Sequence, residues 1–124
     1  MLELLSRVKN INKIFKINDN LYEIRVDVEI KVGYKIKMYL EKRDGKFYLT
    51  DKKNILKCMN EIYELSSKDV KKCLNDILLL YGFQFSKAEI FCEVDNNNIV
   101  QKYYDLIMCH AQLINMFVFF DDPV

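Results

Sequence analysis

Between positions 22 and 32 apolar and charged residues alternate without a break. Tyr22, Ile24, Val26, Val28, Ile30 and Val32 fall on one parity, and Glu23, Arg25, Asp27, Glu29 and Lys31 on the other. A period of two puts one face in a core and the other in water, so the segment predicts a half-buried strand. The apolar parity continues through Tyr34, Ile36, Met38 and Leu40, which constrains the turn near Gly33. A two-residue loop sets Val32 against Lys35. A three-residue loop centred on Tyr34 sets Val32 against Ile36 and Ile30 against Met38, keeping the faces matched, and is the expectation. At Asp44-Gly45 the arithmetic reverses. A two-residue type I′ turn needs φ > 0 at both central residues, suits Asp-Gly, and pairs Leu40 with Leu49 on the core face. Glu41 then faces Tyr48, and Tyr39 faces Thr50, on the outer side.

The remaining segments carry helical spacing or short alternation. Leu4, Leu5, Val8, Ile11 and Phe15 predict an amphipathic helix over about residues 2–16, broken by Asn18-Asp19-Asn20. Asp51 can cap a helix over about 52–64, with Ile55, Met59 and Ile62 at helical spacing. Ser66 and Asp69 resemble a capping box, opening a helix through Val70, Cys73, Leu74, Ile77, Leu78 and Tyr81 that Gly82 stops. A strand over about 88–94 carries Ile90, Cys92 and Val94 on one face, and a helix over about 98–119 closes the chain. That helix has one stripe of Val100, Tyr104, Ile107, Ala111, Ile114 and Val118, and another of Leu106, Cys109, Leu113, Met116 and Phe120. Apolar on two sides, it is either central in the core or shared with a partner, a second copy included. The order α-β-β-β-α-α-β-α, with no linker or repeat, predicts one α+β domain over residues 1–124, an antiparallel meander covered by helices.

The segment DGKFYLTDKKNILKCMNEI, Asp44 to Ile62, with the helix ending LLLYGF and the strand EIFCEV, resembles a bacterial and phage domain family of unknown function. That family carries a hairpin of the form DGxYYLTDDG, a helix, a second helix ending in YG, an EIF strand and a helix of the LIQAI type. The matching residues are Asp44, Gly45, Tyr48, Leu49, Thr50, Asp51, Tyr81, Gly82, Glu89 to Phe91, Leu106 and Ile107. After Thr50-Asp51 the family usually has Asp-Gly, whereas this chain has Lys52-Lys53. A metal or ligand held by that acidic turn in relatives is therefore not expected here. The resemblance implies an origin in prophages or mobile elements.

At 124 residues, 51% hydrophobic and 30% charged, with one Pro and three Gly, the chain is neither disordered nor fibrous. A net charge of +1 argues against a DNA-coating protein and against an acidic DNA mimic. The N-terminus sets Glu3, Arg7 and Lys9 where a signal peptide has its apolar run. The most apolar window, Leu106 to Phe120, carries His110, Gln112 and Asn115 and falls short of the ~20 residues of a membrane span. A soluble, cytoplasmic protein that uses no membrane is expected. Cys58, Cys73, Cys92 and Cys109 contain no CxxC pair and lie on or beside apolar stripes, as structural thiols do. Sixteen lysines against three arginines, with abundant Asn and Ile, reflect AT-rich coding.

Candidate chemistry is sparse. Glu29-Ile30-Lys31 fits the E-x-K half of a metal-dependent nuclease signature, with Asp19 ten positions upstream; alternate charges on a wet strand face generate the same pattern. His110, the single imidazole, has no serine or acid at i±3 or i±4 and reads as a buried, hydrogen-bonded core residue. No catalytic residue, cofactor or metal is expected. Charge is more informative: residues 1–57 hold 14 basic and 8 acidic side chains, residues 58–124 hold 5 and 10. The basic half is largely the meander, whose outer face sets Lys35 and Lys37 among Tyr39 and Tyr48. Cations interleaved with aromatics suit single-stranded nucleic acid, and equally an ordinary solvated sheet face. At the other end Phe119, Phe120, Asp121 and Asp122 suggest an aromatic anchor with an acidic rim for a protein partner. The leading expectation is a small non-enzymatic interaction protein, phage- or mobile-element-encoded, that binds a host defence or regulatory protein. A nucleic-acid-binding module comes second and a nuclease third.

Overall fold

Six strands hydrogen-bond into one antiparallel sheet, and the longest helix lies along its apolar face. The computed structural model describes residues 1–31, 34–54 and 68–120, except for the side chains at 29–31, 34–35, 68–70 and 116–120. In chain order these residues form α1 (Leu2–Ser6), β1 (Ile11–Asn18), β2 (Leu21–Lys31), β3 (Tyr34–Arg43), β4 (Lys46–Thr50), α2 (Lys68–Tyr81), β5 (Gln84–Ser86), β6 (Glu89–Val94) and α3 (Ile99–Phe120). The sheet order is β1-β2-β3-β4-β6-β5. The α+β class and the predicted succession of elements hold, with β1 and β5 added. The predicted helix over 52–64 and the Ser66 cap fall almost wholly outside the described residues.

The first helix is a correction. It ends at Ser6, and residues expected to extend it form β1, paired antiparallel with β2 through Ile14–Ile24 and Phe15–Glu23. The sequence INKIFKIN is rich in β-branched and aromatic residues, which pack well on a pleated surface. Its apolar spacing fits a helix only because Ile14 faces the core while its neighbour Phe15 faces out. Leu5 and Val8 are buried all the same, so α1 still covers one end of the core.

The β2–β3 hairpin also departs from expectation. Lys31 pairs with Tyr34, so its tip spans positions 32–33, outside the described residues. Further down, Ile24 pairs with Met38 in place of the expected Ile30, and Tyr22 with Leu40. Two register shifts, one between Glu29 and Lys31 and one between Arg25 and Glu29, restore apolar-to-apolar pairing. Parity is thus repaired by bulges in β2 and not by loop length.

At Asp44-Gly45 the expectation is met residue for residue. Leu40 pairs with Leu49, Glu41 with Tyr48 and Tyr39 with Thr50, while Asp44 and Gly45 take φ of 50° and 78°. A Cβ on Gly45 would meet nothing within 4 Å, so only the backbone resists substitution. Gly45→Val is expected to cost about 1 kcal/mol or more, read from chemical denaturation, and Gly45→Asn much less because Asn tolerates positive φ.

Helix α2 ends as predicted. Gly82 (φ 74°) donates to Leu79 O at 3.2 Å and Phe83 to Leu78 O at 2.9 Å, the paired bonds of a Schellman motif. Lys102 Nζ donates to Tyr81 O at 2.9 Å, placing a cation at the helix C-terminus. The β5–β6 hairpin turns through Lys87 and Ala88 at φ of 51° and 69°, residues that carry no turn signal, so β5 is invisible in the sequence.

Helix α3 is central. Ile99, Tyr103, Leu106, Cys109 and Leu113 are fully buried, as are Ile24, Met38, Leu40, Leu49 and Ile90 of the sheet. Val100, Ile107 and Ala111 are half-buried, α2 packs alongside, and Tyr104 and Met108 are exposed. Cys92 and Cys109 are buried free thiols that burial pushes up to about 12, which makes them inert core residues; Cys73 is half-buried and free, and Cys58 lies outside the described residues.

Candidate nucleic-acid interface

Because Ile24, Met38, Leu49 and Ile90 turn into the core, their strand neighbours turn outward. That outer face starts at the hairpin motif. Thr50 and Asp51 are both fully buried. Thr50 Oγ1 donates to Glu89 Oε1 at 2.5 Å and accepts from Lys52 N at 3.1 Å. Asp51 Oδ1 accepts from Ile90 N at 3.0 Å and Lys53 N at 3.1 Å, so one carboxylate oxygen ties the end of β4 to the start of β6. Its other oxygen stands 3.8 Å from His110 Nε2 on α3. His110 is buried as expected, but its Nε2 makes no hydrogen bond among the described residues.

The two residues that follow adopt left-handed backbone, Lys52 at φ 50° and Lys53 at φ 69°. Asp-Gly, the pair usual at these positions in the family resembled, suits that conformation better than Lys-Lys does. Lys53→Gly is therefore expected to raise stability by about 0.5–1 kcal/mol in a denaturation experiment.

Lys52 instead contributes a charge. Its Nζ donates to Glu41 Oε2 at 2.6 Å, Glu41 also takes Arg43, and Arg43 Nη2 reaches Glu89 Oε1 at 2.5 Å. Burial pushes the Glu41 carboxyl up, but hydrogen bonds and charge from Lys52 and Arg43 outweigh it and hold it below its ordinary 4.5. A carboxyl lowered by folding stabilises the fold above its unfolded value and loses that contribution as pH falls through the folded one. Glu41→Gln is expected to cost about 1–2 kcal/mol at neutral pH, the gap to the parent closing as pH drops below the ordinary carboxylate range. A gap independent of pH would refute the assignment.

Across β1, β2 and β3 the outer face carries a row of like charges. Lys13 is opposite Arg25, and Arg25 is opposite Lys37. All three are exposed. The next row, two residues along, runs Phe15, Glu23, Tyr39, Thr50 and Phe91. Lys13 Nζ and the Arg25 guanidinium lie 4.7 and 4.2 Å from the Phe15 ring centre. Tyr48 and Phe91 meet edge to face at 6.1 Å, with Arg43 within 6 Å of both. Burial, followed by the Glu23 charge, raises the Tyr39 phenol, so it stays a neutral ring at physiological pH. Cations beside aromatic faces can neutralise phosphates and stack unpaired bases.

The family model described as Domain of unknown function DUF1828 matches residues 30–113. The chain belongs to that family. Neither a curated protein nor a solved structure matches it. The DUF1828 match takes in the hairpin, the Thr50-Asp51 junction, β6 and most of α3. It stops short of Lys13, Phe15 and Arg25, so two of the three cations in the row come from the segment before it.

Of the residues expected to bind nucleic acid, Lys37, Tyr39 and Tyr48 do share the outer face, and Lys35 is placed on β3 by its backbone alone. Lys13, Phe15 and Arg25 join them, and reading 11–18 as helix concealed this. The E-x-K constellation is not assembled. Asp19 lies in the β1–β2 turn, and Leu21 to Glu29 along β2 spans about 25 Å at ~3.3 Å per residue. Among the described residues no three His, Cys, Asp or Glu side chains cluster to hold a metal, and no helix is long and apolar enough to cross a membrane. The anchor expected at Phe119, Phe120, Asp121 and Asp122 lies outside what is described: α3 runs to Phe120, but neither phenylalanine side chain nor the two aspartates are included.

Proposed function

We propose that the chain is a non-enzymatic binding module of the cytoplasm, encoded by a phage or other mobile element, whose outer sheet face takes single-stranded nucleic acid. The Lys13–Arg25–Lys37 row beside Phe15 and Tyr39 carries this reading. Like charges directly opposite on a sheet cost stability, and a phosphate backbone is the ligand that relieves the cost. Aromatic rings in the adjoining row favour bases that are free to leave a stack, hence a single strand over a duplex. The AT-rich coding bias and the family resemblance support the mobile-element origin. A protein partner, such as a host defence or regulatory protein, is the second reading. It is favoured by the consecutive Leu79 and Leu80 of α2, which are 79% and 71% exposed.

Fluorescence anisotropy with a labelled strand of about 20 nucleotides, longer than a site of ~4–16, tests the first reading. Saturable binding at low salt, weaker for the matching duplex and falling steeply as salt rises, is the expected result. No saturable binding, with a host protein co-purifying free of nucleic acid, would replace it with the second.

A further inference from the structure

Beside the row of cations the sheet opens. The register between β2 and β3 passes from Arg25–Lys37 to Glu29–Lys35, so β2 spends two more residues than β3 on that stretch. On its other side, β1 shifts register between Ile11 and Lys13, taking Asn12 out of the ladder, while Asp27 N donates to Asn10 O at 2.7 Å. Irregularities on both edges of one strand leave a cleft of about 400 Å³ lined by Asn12, Glu23, Arg25, Asp27 and Lys37 over the backbone stretch Ile24–Val28 and Ile36. That volume is at the low end of the roughly 300–1,000 Å³ of small-ligand pockets, room for one nucleotide and not for a paired helix.

The polar groups in the cleft are of two kinds. Arg25 and Lys37 supply donors. Glu23 is engaged with Arg25, at 3.9 Å, whereas the exposed Asp27 carboxylate makes no ion pair or side-chain hydrogen bond among the described residues. The ligand that suits both carries two adjacent acceptors on one edge and two adjacent donors on another. Guanine does: O6 and N7 accept from Arg or Lys, and N1–H and N2–H face a carboxylate. Adenine, cytosine and uracil each lack the paired donors.

We infer that this cleft is a base-selective subsite that takes a guanine of the bound strand, with Asp27 reading its Watson–Crick edge and Arg25 or Lys37 its O6/N7 edge. The inference rests on the single-strand reading and adds to it a preference among bases. The test is anisotropy on short uridine RNAs that carry one central G, A, C or U. The G strand is expected to bind about tenfold tighter than the A strand, as one good bidentate pair provides. Asp27→Asn is expected to bring that ratio to about twofold or less; the ratio is the readout, since removing a negative charge tightens every strand. Equal affinity for all four strands overturns the guanine cleft and leaves the platform standing. Failure to bind any strand overturns both. Displacement of the G strand by GMP at equal concentration overturns the strand-borne assignment in favour of a free nucleotide.

Discussion

An Asp51→Ala variant is expected to unfold about 3 kcal/mol more easily than the parent, a large loss for a single side chain. The carboxylate is fully buried and accepts two backbone N–H groups, from Ile90 at 3.0 Å and Lys53 at 3.1 Å. Alanine leaves the buried Ile90 N–H without its acceptor and releases the junction between β4 and β6. Both bonds converge on Oδ1, so Asp51→Asn keeps the acceptor they share and gives up only the charge beside His110. Asn is expected to cost about 1 kcal/mol, well under the Ala figure. Urea denaturation with an unchanged slope measures both. An alanine variant within about 0.5 kcal/mol of the parent would show that the junction is held by packing alone.

The same residue explains what the family motif is for. Asp44-Gly45 makes the turn, Leu49 enters the core, and Thr50 and Asp51 are spent on tying β4 to β6 through Glu89 and Ile90. None of these reaches outward to a ligand, so the motif specifies a fold and says little about a partner. That separates what was legible in the sequence from what was not. Strict alternation over 22–32, the Asp-Gly turn and the Gly82 stop each express a local rule, and all three appear in the structure. β1 was not legible, because Ile11, Ile14 and Phe15 fit a helical stripe and a strand equally well, and pairing with β2 decides between them. β5 was not legible because Lys87 and Ala88 take positive φ without a turn residue. The candidate site was half legible. Lys37, Tyr39 and Tyr48 could be placed on one face by parity alone. Lys13, Phe15 and Arg25 could not be brought beside them before β1 was known to be a strand, since register is a property of the assembled sheet.

The cation row yields the prediction with the widest reach. Lys13→Gln, Arg25→Gln and Lys37→Gln together are expected to leave stability unchanged or raise it by up to about 1 kcal/mol, because facing like charges on a sheet repel. Arg25 gives up its place over the Phe15 ring, worth about 0.5–1 kcal/mol at an exposed site, which offsets part of the gain. Lys37 makes no hydrogen bond or ion pair among the described residues, so its loss breaks nothing. Binding goes the other way. Each phosphate neutralised on a single strand contributes about 0.7 to the slope of log affinity against log salt, so three lost contacts flatten it by about 2. At low salt the affinity itself is expected to fall by about tenfold or more. A structural role for the row cannot produce that combination, since residues kept for stability destabilise when removed. The decisive pair of measurements is thermal melting and a salt titration on the same variant. Unchanged melting with a flattened slope assigns the row to nucleic acid; a lowered melting temperature with an unchanged slope assigns it to the sheet.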